Sequence, residues 1–296
     1  DRSPSRGLGD VYKRQVYAIN DFLAQGWDGS NNEIDLVTKT VEPRGDEKEL
    51  AEITDLIGSY TTNFASSSAG RAKNVITGVS KVDGTILYPG EEFDLAKTVS
   101  PFTQENGYEL AGAYQNGTVV ESFGGGICQV ATTLYNAVIR AELEITMRFN
   151  HSMLVHYVEP SMDAAIAGNY KDLKFKNNLD APVYIEGYCS GGIIYFNVYG
   201  KETRPSNREI SFESETVSKT DPKVQFTMDA SLTAGSVSVT QSGQSGCIAQ
   251  LWKIVKVDGK QQSRDLFNKS NYQATPKLIT LSLIHISEPT RRTPIS

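Results

Sequence analysis

The chain has 296 residues, with 29 Lys and Arg against 35 Asp and Glu and a net charge of −6. An acidic chain without a basic run argues against nucleic acid as a partner and against simple adsorption to anionic lipid. No apolar run reaches the roughly 20 residues that a membrane-spanning helix needs. The length predicts two domains and part of a third.

Both ends of the chain are expected to be foreign to the natural protein. Residues 5–15 and 281–291 resemble one sequencing-transposon adapter translated from opposite strands. We therefore leave residues 1–15 and 281–296 out of the fold prediction. The natural gene is then expected to be longer at both ends, and any membrane anchor would lie in the missing part.

The segment before the main domain has a mixed pattern. Residues 33–41 predict a strand, and residues 47–57 predict a helix with apolar side chains on one face. Residues 60–64 predict a short extended segment, and a linker of small residues follows.

The main domain is predicted to begin with a short helix near Arg71. A turn and strand over residues 82–88 follow, and hairpin-type signals at Asn116-Gly117 deliver the chain to a glycine-rich turn. Further extended segments are predicted over residues 93–99, 108–114 and 118–121.

Three glycines then lead directly into a cysteine and an amphipathic helix. The glycines are expected to allow a tight turn and to leave open space beside the first helical turn. Cys128 lies in that turn, where the helix dipole favours the reactive thiolate. The alternative is that Cys128 is a small buried hydrophobic residue at a crowded helix start. The helix is predicted to run to about residue 141, with its core positions at helical spacing: Ile127, Val130, Leu134 and Val138.

Residues around this helix start are candidates for binding a substrate. Thr132 and Tyr135 follow on the helical face of Cys128. Arg71 could bind an acidic group, although a solvated charge is the ordinary alternative. The full set of substrate-binding candidates is Gly124, Gly125, Gly126, Gln129, Thr132, Tyr135 and Arg71.

A run of strands is predicted after the helix, which favours an α+β fold with a mainly antiparallel sheet. From residue 204 the pattern changes to alternating Ser, Thr and Val, which predicts a small all-β module. The strands expected before that module cover residues 145–149, 155–158, 164–166, 173–176, 183–188 and 193–199.

Two histidines follow the cysteine helix and are predicted to lie on strands. A cysteine at a helix start, a histidine and then a carboxylate form a thiol-nucleophile layout. His151 is the candidate base, and Asp163 or Asp172 is the candidate group that orients it. The alternatives are a hydrogen-bonded loop residue for His151, an outward-facing side chain for His156, and turn or cap residues for the two aspartates.

The cysteines and histidines have no metal-site spacing, so we expect no metal and no cofactor. A metal site formed by Cys128, His151 and His156 would have no spacing signature. Cys189 and Cys247 could form a disulfide, but sequence does not define the pairing.

Together these motifs resemble the VanW family over residues 64–199. The match is specific because it extends over many separate motifs. One departure is Ser161, where the family pattern has glycine before the Asp-Ala pair. The matching positions are Arg71 with Asn74, Gly84 with 89–93, 106–108, Asn116-Gly117, 124–129, 132–137, His151-Ser152, Tyr157-Val158, Asp163-Ala164 and 172–177.

The flanking segments resemble two other domain types. Residues 47–64 resemble the end of a peptidoglycan-binding domain, and residues 208–280 resemble a G5 domain, which implies binding of N-acetylglucosamine-containing glycans or a spacer role. The expected domains are 16–64 for the peptidoglycan-binding tail with its linker helix, 65–203 for the VanW domain and 204–280 for the G5-like domain, between adapter-derived segments 1–15 and 281–296.

Two functions of different classes follow from the resemblance. The first is a non-catalytic, wall-associated protein on the outside of a Gram-positive-type cell, which binds peptidoglycan or its glycans. The second is an amidase, peptidase or transpeptidase with Cys128 as nucleophile and His151 as base. We favour the first for the overall role and leave catalysis open.

Overall fold

The computed structural model describes residues 16, 17, 19–24, 45, 47–115, 118–168 and 170–282, with the backbone alone for 113–115 and 118–120. The predictions for residues 33–41, for Asn116-Gly117 and for most of both ends lie outside this range. The chain divides into two units, 1–46 and 47–296. In the first unit, residues 16, 17 and 19–24 are helical.

The second unit has the predicted α+β composition. Its helices are α1 (Glu47–Leu50), α2 (Ala69–Val82), α3 (Leu95–Val99) and α4 (Ile127–Arg140). The strands of the main domain are β1 (Asp55–Asn63), β2 (Thr85–Leu87), β3 (Glu92–Asp94), β4 (Leu110–Gln115), β5 (Thr118–Phe123), β6 (Glu144–Met147), β7 (Lys174–Lys176), β8 (Val183–Ser190) and β9 (Ile193–Gly200). Within the described residues, none of the helices is both long and apolar enough to cross a membrane.

The main sheet has the order β1-β9-β8-β2, and every neighbouring pair in it is antiparallel. Helix α4 packs on this sheet so closely that a Cβ on Gly58 of β1 would lie 2.5 Å from the Ala137 oxygen. The apolar side chains predicted to face the core are buried. The helix begins and ends as predicted from the sequence, which confirms the cysteine helix. Two smaller antiparallel sheets, β3-β7-β6 and β4-β5, complete the domain.

The helix predicted over residues 47–57 was wrong beyond Leu50. Residues 55–63 form β1, which pairs with β9 and carries Ile57 into the core. Pairing with a long partner strand overrides the local helical pattern here. The domain boundary expected at residue 64 therefore does not coincide with a break in the structure.

Three further predictions of extended structure were wrong. Residues 95–99 form α3, because the Asp94 side chain caps the helix by accepting from Lys97 N at 2.8 Å. Residues 155–158 and 164–166 are irregular. The backbone of Ala164 bonds to the Thr132 hydroxyl in both directions, so its polar groups are satisfied without a strand partner.

The C-terminal module is all-β, as predicted. It consists of two sheets, β10-β13-β14 and β11-β15-β12. Strand β15 includes Leu281 and Ser282, the first two residues of the terminal segment left out of the fold prediction. Leu251 of β13 belongs to the hydrophobic core of the main domain. The six strands are β10 (Arg208–Thr220), β11 (Val224–Asp229), β12 (Val237–Gln241), β13 (Gly246–Val257), β14 (Lys260–Tyr272) and β15 (Lys277–Ser282).

Candidate active site

The three glycines bring the start of α4 against its neighbours. Gly126 has φ 109° and offers no side-chain cap to the helix. A Cβ on Gly125 would lie 2.7 Å from the Ala111 carbonyl oxygen, and one on Gly124 would lie 2.8 Å from the Phe102 ring. The expectation of open space beside the glycines was therefore wrong, because β4 and Phe102 fill that space.

The Cys128 thiol is half-buried at this helix start. Its Sγ donates to the carbonyl oxygen of Ile166 at 3.4 Å, and the His151 side chain is close enough to affect its titration. The carbonyl contact requires the protonated thiol, whereas the histidine contact favours the thiolate. The Cys128 amide has no acceptor among the described residues, since Ile127 N and Gln129 N are the amides that bond back to the glycine carbonyls.

His151 is held by Asp163 at two atoms. Asp163 Oδ2 lies 2.6 Å from His151 Nδ1 and 2.7 Å from the backbone nitrogen of the same residue. The side chain of His151 is 12% exposed and that of Asp163 is 1% exposed. Because Nδ1 faces the carboxylate, Nε2 is the ring nitrogen left for the thiol.

The other oxygen of Asp163 is also fully engaged. Arg148 Nη2 donates to Oδ1 at 3.0 Å, and the hydroxyl of Tyr272 in β14 donates to the same oxygen. Arg148 also donates from Nε to the Asp163 backbone oxygen at 2.7 Å. A buried carboxylate thus has four donors around it and a cationic neighbour.

These contacts change the pKa values of Cys128, His151 and Asp163 in the directions that activate a thiol. Burial acts to raise the pKa of Cys128, but the hydrogen bond and positive charge of His151 lower it below its ordinary value. Burial acts to lower the pKa of His151, but its bonds to Asp163 and Cys128 raise it to about 9. Burial acts to raise the pKa of Asp163, but the contacts with His151 and Arg148 have the larger effect, so the pKa of Asp163 is lowered. The shifts of Cys128 and His151 are both in the direction of a thiolate–imidazolium pair.

Tyr157 is a further member of the site that the analysis of the sequence did not single out. Burial and the nearby charge of Cys128 raise its pKa well above the ordinary value. It therefore remains a neutral hydroxyl donor beside the thiol. The signal for it in the sequence was the Tyr157-Val158 motif of the family resemblance.

The two remaining chemical candidates lie elsewhere. Asp172 Oδ1 accepts from Ala96 N at 2.9 Å and Leu173 N at 2.7 Å, so it serves as a cap at α3. His156 is exposed in the loop, and its predicted strand is absent. The structure thus brings Cys128, His151 and Asp163 together and separates Asp172 and His156 from them.

The helix side chains expected to line the site are mostly structural. Gln129 is buried and bonds to Arg71 and to the β1 backbone, and Thr132 is buried against Ala164. Tyr135 is 1% exposed and accepts from the Asn268 side chain at 2.7 Å. Tertiary contacts cover all three of these side chains, so the structure gives each of them a packing role. Arg71 is half-buried and remains a candidate for an anionic substrate group.

All three cysteines are free, so Cys189 and Cys247 do not form a disulfide. Burial raises the pKa of Cys189 to about 11 and also raises that of Cys247. Among the described residues, clusters of three or more His, Cys, Asp or Glu side chains suited to a metal are absent. Cys128 is thus the cysteine whose surroundings favour the thiolate.

Comparison with known proteins divides the chain into the same two modules. Residues 70–199 match the family described as VanW like protein, and residues 212–281 match the G5 domain. The chain is 33% identical over 185 residues to the uncharacterized protein YoaR of Bacillus subtilis, covering 62% of this chain and 61% of that protein. It is 26% identical over 118 residues to the vancomycin B-type resistance protein VanW of Enterococcus faecalis, covering 38% of this chain and 42% of that protein.

The chain thus spans less than two thirds of the length of the curated relatives it matches. Among solved structures, the G5 domain of an IgA1 protease is 24% identical, with a TM-score of 0.19, covering 25% of this chain and 90% of that domain. The two matching families are consistent with a cell-wall-associated protein. The chain consists, in its matched parts, of a VanW-like domain followed by a C-terminal G5 domain.

Proposed function

We propose that the VanW-like domain is a cysteine-dependent enzyme that cleaves or transfers amide-linked acyl groups of peptidoglycan. The observation that carries this proposal is the chain of contacts from Cys128 through His151 to Asp163. A nucleophile, a base and a group that orients the base form the general layout of thiol acyl transfer.

The reaction that this layout supports begins with attack of the thiolate sulfur on an amide carbonyl carbon. The C–N bond breaks, the amine leaves with a proton from the His151 imidazolium, and the acyl group remains on Cys128 as a thioester. Water or a second amine then attacks the thioester and gives its proton to His151, which restores the thiol pair. Water produces hydrolysis, and an amine produces transpeptidation.

The Cys128 amide supports the charged intermediate of this reaction. It has no acceptor among the described residues and lies at the positive end of α4. A backbone N–H at this position is the type of donor that stabilises an oxyanion. Tyr157, whose hydroxyl stays neutral because burial and the charge of Cys128 raise its pKa, is a candidate for a second donor.

The wall-binding role belongs to the G5 domain in this proposal. G5 domains are generally associated with carbohydrate or cell-wall binding, which fits peptidoglycan glycans as the ligand. The same two domains support our proposal of an extracellular, wall-associated location on a Gram-positive-type cell. Arg71, half-buried next to the helix start, is the candidate for a carboxylate of the peptide substrate.

The first test is the rate at which iodoacetamide alkylates Cys128 as a function of pH, followed by intact-mass measurement. We expect an apparent thiol pKa well below the usual value of about 8.5. His151→Ala should raise it toward that value. His156→Ala is the matched control, because this exposed histidine lies in the same loop and should have no effect.

A thiol with an ordinary pKa, or one indifferent to His151, would contradict the enzyme proposal and leave glycan binding as the function. Incubation with purified peptidoglycan fragments then tests the substrate class. The expected result is new cleavage or transfer products in wild type that disappear in Cys128→Ala. Retained binding of the fragments by Cys128→Ala would separate the binding role from the chemistry.

A further inference from the structure

The G5 domain meets the candidate active site mainly through its edge strand β14. Alternate residues of β14 share a face, and three of them point toward the loop that carries His151 and Asp163. Asn268 Nδ2 donates to the Ser161 oxygen at 3.2 Å, and Ser270 Oγ accepts from Arg148 Nη1 at 2.9 Å. The hydroxyl of Tyr272 accepts from Ser161 N at 2.7 Å.

This contact is as buried as a domain core. Tyr272 is 2% exposed, Ser270 is 1% exposed and Ser161 is fully buried. Tyr272 packs with Cys247 and Ala249 of β13 in a small apolar cluster, against Leu154 from the active-site loop. The G5 domain therefore forms one wall of the structure behind the site.

We propose that Tyr272 is a positioning residue for the Cys128–His151–Asp163 triad, so that the G5 domain is part of the catalytic apparatus as well as a wall-binding domain. This inference rests on the proposed function of the VanW-like domain. Tyr272 acts through Asp163 and does not touch the substrate.

The local backbone shows why this support matters. Ser161 has φ 67°, a left-handed conformation that side chains other than glycine rarely adopt. The VanW resemblance leads one to expect glycine at this position. Ser161 N donates to Tyr272 and Ser161 Oγ donates to the Ala249 oxygen at 3.0 Å, so two contacts from the G5 domain hold the strained turn.

Asp163 lies two residues after this turn, and Tyr272 bonds to both ends of the connection. Loss of the Tyr272 hydroxyl would leave the buried Ser161 N–H without its acceptor and remove one of the four donors to Asp163. A carboxylate that turns away from His151 no longer stabilises the imidazolium. The other charged group in contact with Asp163 is Arg148, which itself depends on Ser270 for one hydrogen bond.

The test compares Tyr272→Phe with Tyr188→Phe, a control that removes the hydroxyl of an exposed tyrosine on β8. The readouts are the apparent pKa of Cys128 from the alkylation profile and the thermal midpoint. We expect Tyr272→Phe to raise the thiol pKa by about one unit. At pH values below the wild-type thiol pKa, the alkylation rate should then fall about tenfold. Tyr188→Phe should leave the profile unchanged.

A purely structural role for Tyr272 would lower the thermal midpoint and leave the thiol pKa unchanged, and that result overturns the inference. Ser270→Ala, which loosens Arg148, should shift the pKa in the same direction and decides the question if Tyr272→Phe does not fold. An activated wild-type thiol that neither variant alters overturns the positioning role alone. A wild-type thiol that ignores His151 overturns the proposed function and the inference together.

Discussion

Replacing Asp163 by asparagine should both destabilise the protein and deactivate the thiol. The carboxylate accepts from His151 through one oxygen and from Arg148 and Tyr272 through the other. An asparagine side chain has only one acceptor oxygen, and its NH2 group must face a donor on one side. Whichever way the amide turns, either the histidine or the arginine loses its acceptor.

The size of the effect follows from burial. The side chains of Arg148 and Asp163 are 8% and 1% exposed, so the variant leaves a buried cation without its counterion. Removing one partner of such a pair costs about 3–5 kcal/mol. For a domain of this size that corresponds to a fall in Tm of roughly 6–20 °C.

The effect also has a defined pH dependence. The pKa of Asp163 is lowered in the folded state, so its contribution is present above the unfolded value of about 3.9 and is lost as pH falls through the folded value. The pKa of His151 is raised to about 9, so its contribution is complete below about 6.5 and is lost as pH rises through 9. The stability difference between wild type and Asp163→Asn should therefore shrink in strong acid.

Asp172→Asn is the matched control, because Asp172 is also buried and was the other candidate from the sequence. Its Oδ1 accepts both backbone bonds, which the asparagine oxygen can keep. Its Oδ2 takes part only in a long ion pair, 3.8 Å from Lys174 Nζ, whose loss costs little. Calorimetry and denaturant titration should show less than about 1 kcal/mol of change, with an unaltered thiol pKa. Equal, small losses for both variants would refute the assignment of Asp163 as the carboxylate behind His151.

The remaining predictions concern packing, an ion cluster and thiol selectivity. Gly125→Ala should lower the free energy of unfolding by about 1–3 kcal/mol, because the new Cβ would lie 2.7 Å from the Ala111 oxygen; an unchanged urea midpoint would contradict this packing. Glu142→Gln should lower the free energy of unfolding by roughly 1–3 kcal/mol at pH 7, because the pKa of Glu142, half-buried among three basic side chains, is lowered to about 2. Wild-type stability should accordingly fall as pH drops from about 4.3 toward 2, and the variant should lack this dependence in acid titrations. Brief alkylation at pH 7 should modify Cys128 before Cys189, whose pKa is raised to about 11, and peptide mapping that finds the reverse order would contradict the assigned environments.

Some of the site was accessible from the sequence because the signals were local. Apolar residues at helical spacing predicted α4 within about one residue at each end, since burial of one face and the helical period are both written in neighbouring positions. Cysteine and histidine are so rare in this chain that Cys128 and His151 could be nominated without knowledge of the fold. The change of pattern near residue 204 likewise marked the all-β module.

Other features depended on contacts between distant segments. In the sequence, Asp163 and Asp172 both look like turn or cap residues. Only the path of the loop in the folded chain places the carboxylate of Asp163, and not that of Asp172, next to His151. Residues 155–158 and 164–166 had strand-like composition, but neither segment forms a strand; in the second, side chains satisfy backbone groups of Ala164 and Ile166. Residues 55–57 became a strand because β9 was available to pair with them.

The sequence by itself determined the cysteine helix, the pair Cys128 and His151, and the order of a mixed domain before an all-β one. Only the tertiary structure decided what surrounds the pair. Arg148 and Tyr272 reach Asp163 from 15 and 109 residues away. Periodicity and spacing report on neighbours within a few turns, whereas the environment of a buried carboxylate is set by whichever strand packs against it.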